Sequence, residues 1–363
     1  MLCSSKNERL QEVTFWKGIA IMMVILTHSH QMFSLPLSMR LIPMFGQMGC
    51  QVFFVLSCFG LCLSYERYSP NYLDFIKRRL RSISIGYLLA IVISMSLALI
   101  SIKLVGENIF HTCTSRIKIL ENVLFLHGLD PSVDGNNKVV RGGWFVGTIV
   151  LLYALFPLLY AFYKKIEKKW VLPVLVFCIC FAVLITPYFF DDSFYVHKNS
   201  FLYFSFVNQL PSFVVGFLLY DWYKNGMTKS KRNCLEGVFL LLISFAIFHN
   251  PSPVSYIVLP FIFSLSFYYI YSNFTPPIYW NENRFIDCIL LFGKYSYAVY
   301  LTHIYLAFDV STAIISVMRI PEWLLYLLWL PILYLLSFVI GRCYQSLTEK
   351  IDHCVYKINL FSD

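Results

Sequence analysis

The chain has 363 residues, of which 58% are hydrophobic and 18% aromatic, and only 13% carry a formal charge, about half the charged share of an ordinary soluble domain. That balance excludes a water-soluble globular fold: apolar stretches long enough to cross a hydrocarbon layer roughly 30 Å thick recur along the whole length. The net charge of +9 therefore reports membrane topology and not binding to nucleic acid.

Ten spans are predicted, at roughly 14–33, 45–64, 82–101, 144–163, 170–189, 201–220, 236–249, 253–272, 289–309 and 322–341, giving an all-α polytopic transmembrane bundle. The first span follows a basic start (Lys6, Arg9), but its apolar run outlasts that of a signal peptide and no small-x-small cleavage site follows, so it counts as a membrane helix. The piece ILENVLFLHG at 119–128 is too short to span and is expected as an interfacial or re-entrant helix within the outer segment 102–143, the longest non-spanning stretch. With the N-terminus inside, inner segments carry 20 Lys and Arg and outer segments 8, which sets both termini in the cytoplasm. The chain then divides into a cytoplasmic start at 1–13, one membrane domain at 14–341 and a cytoplasmic tail at 342–363. Eleven cysteines, an odd number without paired metal-ligand spacings, indicate neither a disulfide framework nor a zinc site.

Ionisable residues within the spans are few, and each is costly enough to call for a reason. No Asp or Glu falls in the middle of a predicted span. Lys17 and His28 lie eleven positions apart on the first helix, which at about 100° per residue returns them to within about 20° of one face. Gln31 extends the same stripe. A snorkelling lysine and a histidine bonded to a neighbouring helix would leave the same pattern. In DFIKRRLRSI, Arg78, Arg79 and Arg81 precede the third span on its inner side, where guanidiniums and a helix N-terminus together would hold phosphates; plain topology anchors look alike. RGGWFVG, residues 141–147, leads the outer segment into the fourth span, with two glycines that allow close backbone approach and Trp144 at the interface, where aromatic belts also place tryptophan. GKYSYAVYLTH puts Ser296, Tyr300 and His303 on one face of the ninth span, for chemistry or for hydrogen bonding within the bundle.

Taken in order, these segments resemble the acyltransferase 3 family of membrane acyltransferases. FWKGIAIMMVILTH is similar to that family's first-helix motif, a basic residue and a histidine with ten residues between them. GCQVFFVLSCFGL, which contains Ser57, is similar to its second-helix signature, FIKRRLR to its arginine motif and GGWFVGTIVLLYALFPLL to its Trp-to-Pro helix. QLPSFVVGFLL at 209–219 resembles its Leu-Pro helix, and FGKYSYAVYLTH its penultimate-helix motif; the resemblance runs from about residue 14 to 341. It implies an O-acyltransferase that carries an acetyl group from cytoplasmic acetyl-CoA, a co-substrate and not a bound cofactor, to a sugar hydroxyl of a surface polysaccharide or lipid-linked glycan at a bacterial inner membrane. In that picture His28 and Lys17 are the catalytic residues, His28 as base or acyl carrier and Lys17 roughly 16 Å away near the inner interface, beside the path of the thioester. Arg78, Arg81 and Ser57 meet the donor, and Arg141, Trp144, Tyr300 and His303 shape the acceptor pocket. Membrane lipids are the remaining partners, with no metal and no nucleic acid.

Two departures stand out. Lys17 occupies a position where most members carry Arg, which forfeits a planar two-pronged grip on an anion, and Phe145, Gly147 and Ile149 follow Trp144 where many carry Ser and Glu. The lost carboxylate leaves open a non-catalytic relative that binds donor or glycan. Ten aromatic-rich helices also suit a transporter or flippase of lipid-linked sugars, against which stand the missing intramembrane carboxylates and the absence of paired broken helices.

Overall fold

In lipid a backbone must satisfy its own polar groups, and apolar runs without interior charge do so as helices. The computed structural model describes residues 2–68, 71–130, 139–190, 199–226, 229–274 and 283–360, the backbone alone at 2–10, 188–190, 199–201 and 356–360. Every regular element among them is helical. The first eight are α1 (Leu2–Ser29), α2 (Leu37–Phe45), α3 (Gly49–Tyr68), α4 (Tyr72–Val105), α5 (Arg116–Val123), α6 (Trp144–Lys165), α7 (Val171–Phe190) and α8 (Asn199–Phe204). The others are α9 (Phe206–Asn225), α10 (Lys231–Phe248), α11 (Pro253–Asn273), α12 (Arg284–Lys294), α13 (Ser296–Tyr305), α14 (Ser311–Val317) and α15 (Glu322–Leu360). Short 3-10 turns follow α2 and α5, and a π-helical turn, Leu306–Val310, joins α13 to α14.

By length and composition, seven stretches can cross a membrane: Leu37–Tyr68, Tyr72–Val105, Trp144–Lys165, Leu202–Asn225, Pro253–Asn273, Ser296–Val317 and Glu322–Val355. The remaining predicted spans are helical too, on α1, α7 and α10. Lys138 and Lys198, two of the basic residues expected outside, lie outside the described residues.

Three boundaries differ from expectation. The helix of the third predicted span starts at Tyr72 instead of near 82, because the Asn71 side chain caps it by accepting from the Asp74 N–H at 2.9 Å. The ninth span breaks at Tyr295, with φ −101° and ψ 12°, so Lys294 closes α12 and does not sit inside a span. The final helix continues through the expected tail, tied to α4 where the Tyr344 hydroxyl donates to the Gly86 carbonyl.

Close backbone approach fixes the position of α1. A Cβ on Gly18 would lie 2.0 Å from the Ile289 carbonyl oxygen, and one on Gly293 1.8 Å from that of Thr14, so α1 and α12 touch along their backbones as small-residue membrane interfaces do. On its other side α1 packs against α3. Held between two neighbours, the helix has one rotational setting, and that setting directs Lys17 and His28 into the bundle.

Candidate functional site

His28 ends the first helix against α13. Its ring lies 5.1 Å from that of His303, centroid to centroid, and 6.0 Å from that of Phe308. His303 Nδ1 faces two carbonyl oxygens, Val299 at 3.0 Å and Tyr300 at 2.9 Å, and an unprotonated nitrogen there would oppose lone pair to lone pair. The network therefore assigns the proton to His303 Nδ1 and leaves its Nε2 as an acceptor. That Nε2 is 3.1 Å from His28 Nδ1, which also reaches the Val24 carbonyl at 2.9 Å. His28 consequently carries its proton on Nδ1 and shares it between the two acceptors. Its Nε2 is a free lone pair with no partner among the described residues. A neutral imidazole fixed through one nitrogen and bare at the other is what a general base requires.

Cavities lie on both sides of this pair. Toward the end of the bundle that carries Arg67, Lys164 and Lys224, a cavity of about 490 Å³ is lined by residues including Lys17, Ser64, Arg67, Tyr68 and Tyr223. Lys17 also lines a second cavity, of about 200 Å³, together with Phe53, Ser57, Tyr153, Ser296 and Tyr300. Lys17 has no hydrogen-bond or ion-pair partner among the described residues, so an ammonium stands between the two spaces without a counter-charge. The second cavity ends at Tyr300, whose ring is 6.0 Å from His303. A third, of about 420 Å³, lies at the opposite end, lined by Met32, Phe110, His111, Arg141, Phe308 and Asp309 among others. Through Phe308 it abuts His28.

The expected donor residues separate. Ser57 lines the central cavity beside Tyr153. The three arginines of FIKRRLR stand in the second and third turns of α4, so the N-terminal amides that were to reinforce them are elsewhere. Arg78 is exposed, lies over Tyr68 at 5.7 Å and donates to the Asp74 carbonyl. Arg81 points to the last helix and pairs with Asp352 at 3.4 Å, both side chains about half exposed. Arg79, which the sequence did not favour, reaches the cavity wall: its Nη2 donates to Ser64 Oγ at 2.7 Å. A signal was available, since Arg79 shares a helical stripe with Phe75, Gly86 and Ala90, buried positions on the small or apolar face of α4.

At the opposite end, RGG is held residue by residue. Arg141 Nη1 donates to both carboxylate oxygens of Asp309, at 2.8 and 2.9 Å, and its Nη2 to the Phe110 carbonyl. The Gly142 carbonyl accepts from the Tyr300 hydroxyl, with Gly142 at φ 71° where a side chain would be strained. The Gly143 carbonyl accepts from His127 Nε2 at 3.1 Å. His127 belongs to the short ILENVLFLHG segment, which packs on α4 and α6 and is locked by Tyr87, whose hydroxyl donates to Asn122 Oδ1 at 2.6 Å. Burial holds the His127 pKa down at about 4, so its ring is neutral. Trp144 is only 6% exposed and packs against Phe204 at 4.8 Å; it does not line the cavity beside Arg141. Of the four expected acceptor residues, Arg141 alone borders that cavity, while Tyr300 and His303 lie between it and Lys17. Asp309 escaped the sequence because it falls at the end of a predicted span, yet a largely buried arginine such as Arg141 calls for an acidic partner.

A family profile for an acyltransferase domain, that of the acyltransferase 3 group, matches residues 10–342. No curated protein and no solved structure matches the chain.

Proposed function

Because the chain belongs to the acyltransferase 3 family and is a multi-pass membrane protein, we propose that this membrane acyltransferase carries an acetyl group from cytoplasmic acetyl-CoA to a sugar hydroxyl of a surface or lipid-linked glycan. The carrying observation is His28 Nε2, a free base packed against Phe308 on the wall of the cavity beside Arg141 and against His303, whose neighbour Tyr300 lines the cavity that holds an unpaired lysine. The excess of Lys and Arg on the segments next to Arg67 and Lys164 assigns that end to the cytoplasm. With helices at all ten expected positions, the proposed topology is ten passages with both termini inside, in a bacterial inner membrane.

The donor enters at the larger cavity, where Arg67, Arg79 and Lys17 supply cations for its phosphates. Its pantetheine arm passes Lys17 and brings the thioester past Ser57 toward Tyr300. His28 Nε2 takes the proton of the sugar hydroxyl as that oxygen attacks the thioester carbonyl carbon. The C–S bond then breaks, an ester forms, and the proton on His28 returns to the departing CoA thiolate, so that base and charge are restored. His303 plays the orienting part: it accepts from His28 Nδ1–H and is itself held by two carbonyls.

The test is transfer of labelled acetyl from CoA to glycan by the purified protein in lipid vesicles. Labelled ester in the glycan, absent without protein, is expected. A carrier of lipid-linked sugars, or a relative that only binds, leaves the label on CoA.

A further inference from the structure

We propose that the cavity between residues 109–111 and the turn 306–310 is the acceptor subsite, and that Asp309 within it aligns an uncharged, hydroxyl-rich ring for attack at His28. This rests on the acyltransferase reading above. The cavity measures about 420 Å³, within the roughly 300–1,000 Å³ typical of small-ligand sites. The carboxylate among its described lining residues, that of Asp309, is fixed by Arg141, whose Nη1 lies 2.8 and 2.9 Å from the two oxygens. Side-chain exposures of 16% and 23% leave the pair accessible from the cavity.

An ionised carboxylate offers about four acceptor positions and no donor, so after Arg141 is served it still has room for sugar hydroxyls. Because the guanidinium cancels its charge, the pair suits a neutral ring better than an anionic one. The remaining wall is apolar where a sugar is apolar: Met32 lies in the turn that follows α1, four residues after His28, and Phe308 has its ring 6.0 Å from the histidine's, together a surface for the C–H face of a pyranose.

The π-helical turn makes both contacts at once. Bonding to the fifth residue instead of the fourth inserts one extra residue into Leu306–Val310. Consecutive side chains then meet different partners, Phe308 the imidazole and Asp309 the Arg141 guanidinium. In the transfer step the hydroxyl proton passes to His28 Nε2 as before, while Asp309 accepts from a neighbouring hydroxyl and undergoes no net change.

The experiment uses the full chain in lipid vesicles with labelled acetyl-CoA and octyl β-glucoside at submicellar concentration, and octyl β-glucuronide as the anionic counterpart. Wild-type protein should acetylate the glucoside in preference to the glucuronide. Asp309→Asn retains a carbonyl for Arg141 but loses a charged acceptor, so KM for the glucoside should rise about 10- to 100-fold, while the affinity for acetyl-CoA, read by direct binding, should hold. Met32→Trp, which fills the cavity, should raise the same KM and equally spare donor binding. An active wild type whose glucoside KM is unmoved by both substitutions overturns the subsite, as does preference for the glucuronide. Failure of wild type to bind or consume acetyl-CoA overturns the acyltransferase reading instead, and with it the subsite.

Discussion

Replacing His28 by Gln probes the histidine pair most directly. The amide keeps a polar group of similar reach, so helix packing and the contact toward His303 survive, but it cannot hold a proton at neutral pH. Loss of general-base catalysis should slow acetyl transfer by roughly 10²- to 10⁴-fold, which at about 1.4 kcal/mol per decade is some 3–5 kcal/mol of barrier. His303→Phe removes only the acceptor at 3.1 Å from His28 Nδ1, and the Val24 carbonyl at 2.9 Å remains to hold the imidazole. That loss should be smaller, about 10-fold, because orientation is weakened and the base is kept. If the two act as one relay, the double variant should be no slower than His28→Gln alone, since His303 has nothing left to orient. The assay is the initial rate of labelled acetyl transfer per molecule of inserted protein at saturating donor. Near-normal rates for His28→Gln, or singles whose losses multiply in the double, would refute the relay.

Lys17→Arg should retain transfer, whereas Lys17→Ala or Arg79→Ala should weaken acetyl-CoA binding about 10-fold or more through loss of a charge-assisted contact; Arg81→Ala, which breaks an exposed pair with Asp352, should leave binding within about twofold. A direct binding titration with labelled CoA separates these, and equal losses at Arg79 and Arg81 would contradict the assignment. Cysteines placed at 164–169 in a cysteine-free background should resist an impermeant thiol reagent in intact cells while one at Lys118 reacts; labelling of 164–169 from outside would overturn the topology. Gly293→Ala puts a methyl 1.8 Å from the Thr14 carbonyl and should cost at least the ~1–3 kcal/mol of an overpacked core, seen as a lower melting temperature and reduced yield of inserted protein.

Much of this was legible from spacing alone. Lys17 and His28 share a face because 3.6 residues per turn requires it, and Ser296, Tyr300 and His303 do so by the same rule, so the sequence locates both halves of the pair on opposing helices. It does not reveal that the rings meet, because the approach of α1 depends on Gly18 and Gly293 touching backbone on partners far away in sequence. The arginine motif was legible as charge but not as direction: Asn71 starts α4 more than one turn before the basic run, and on that helix Arg79 faces inward, Arg81 faces Asp352 and Arg78 lies at the surface. Trp144 read as an interfacial residue since tryptophan at the head of a span commonly is one; Phe204, brought back by the short helix α8, covers it instead. The π-helical turn that sets Asp309 opposite Arg141 leaves no mark in composition or periodicity.

The carboxylate that many relatives carry after the tryptophan is missing here, and the packing explains how chemistry can proceed without it. Phe145 and Ile149 both line the central cavity, and the Phe145 ring packs 5.3 Å from that of Tyr300 and 4.8 Å from that of Phe54. An ionised carboxylate among those rings would carry a desolvation cost of several kcal/mol unless fully paired, and Lys17, kept free for the donor, would become its counter-ion. On the proposed mechanism the work of fixing the base would fall to His303, a group anchored by the Val299 and Tyr300 carbonyls. A neutral orienter fixes the tautomer of His28 as firmly as a carboxylate would, but stabilises the imidazolium less once the proton has moved. In the proposed reaction the rest of that stabilisation would come from the reacting pair itself: the CoA thiolate would form beside the protonated histidine and take the proton back. On that proposal the base would be charged only while its acyl donor is leaving, and between turnovers Lys17, without a counter-charge among the described residues, would be available to the next donor.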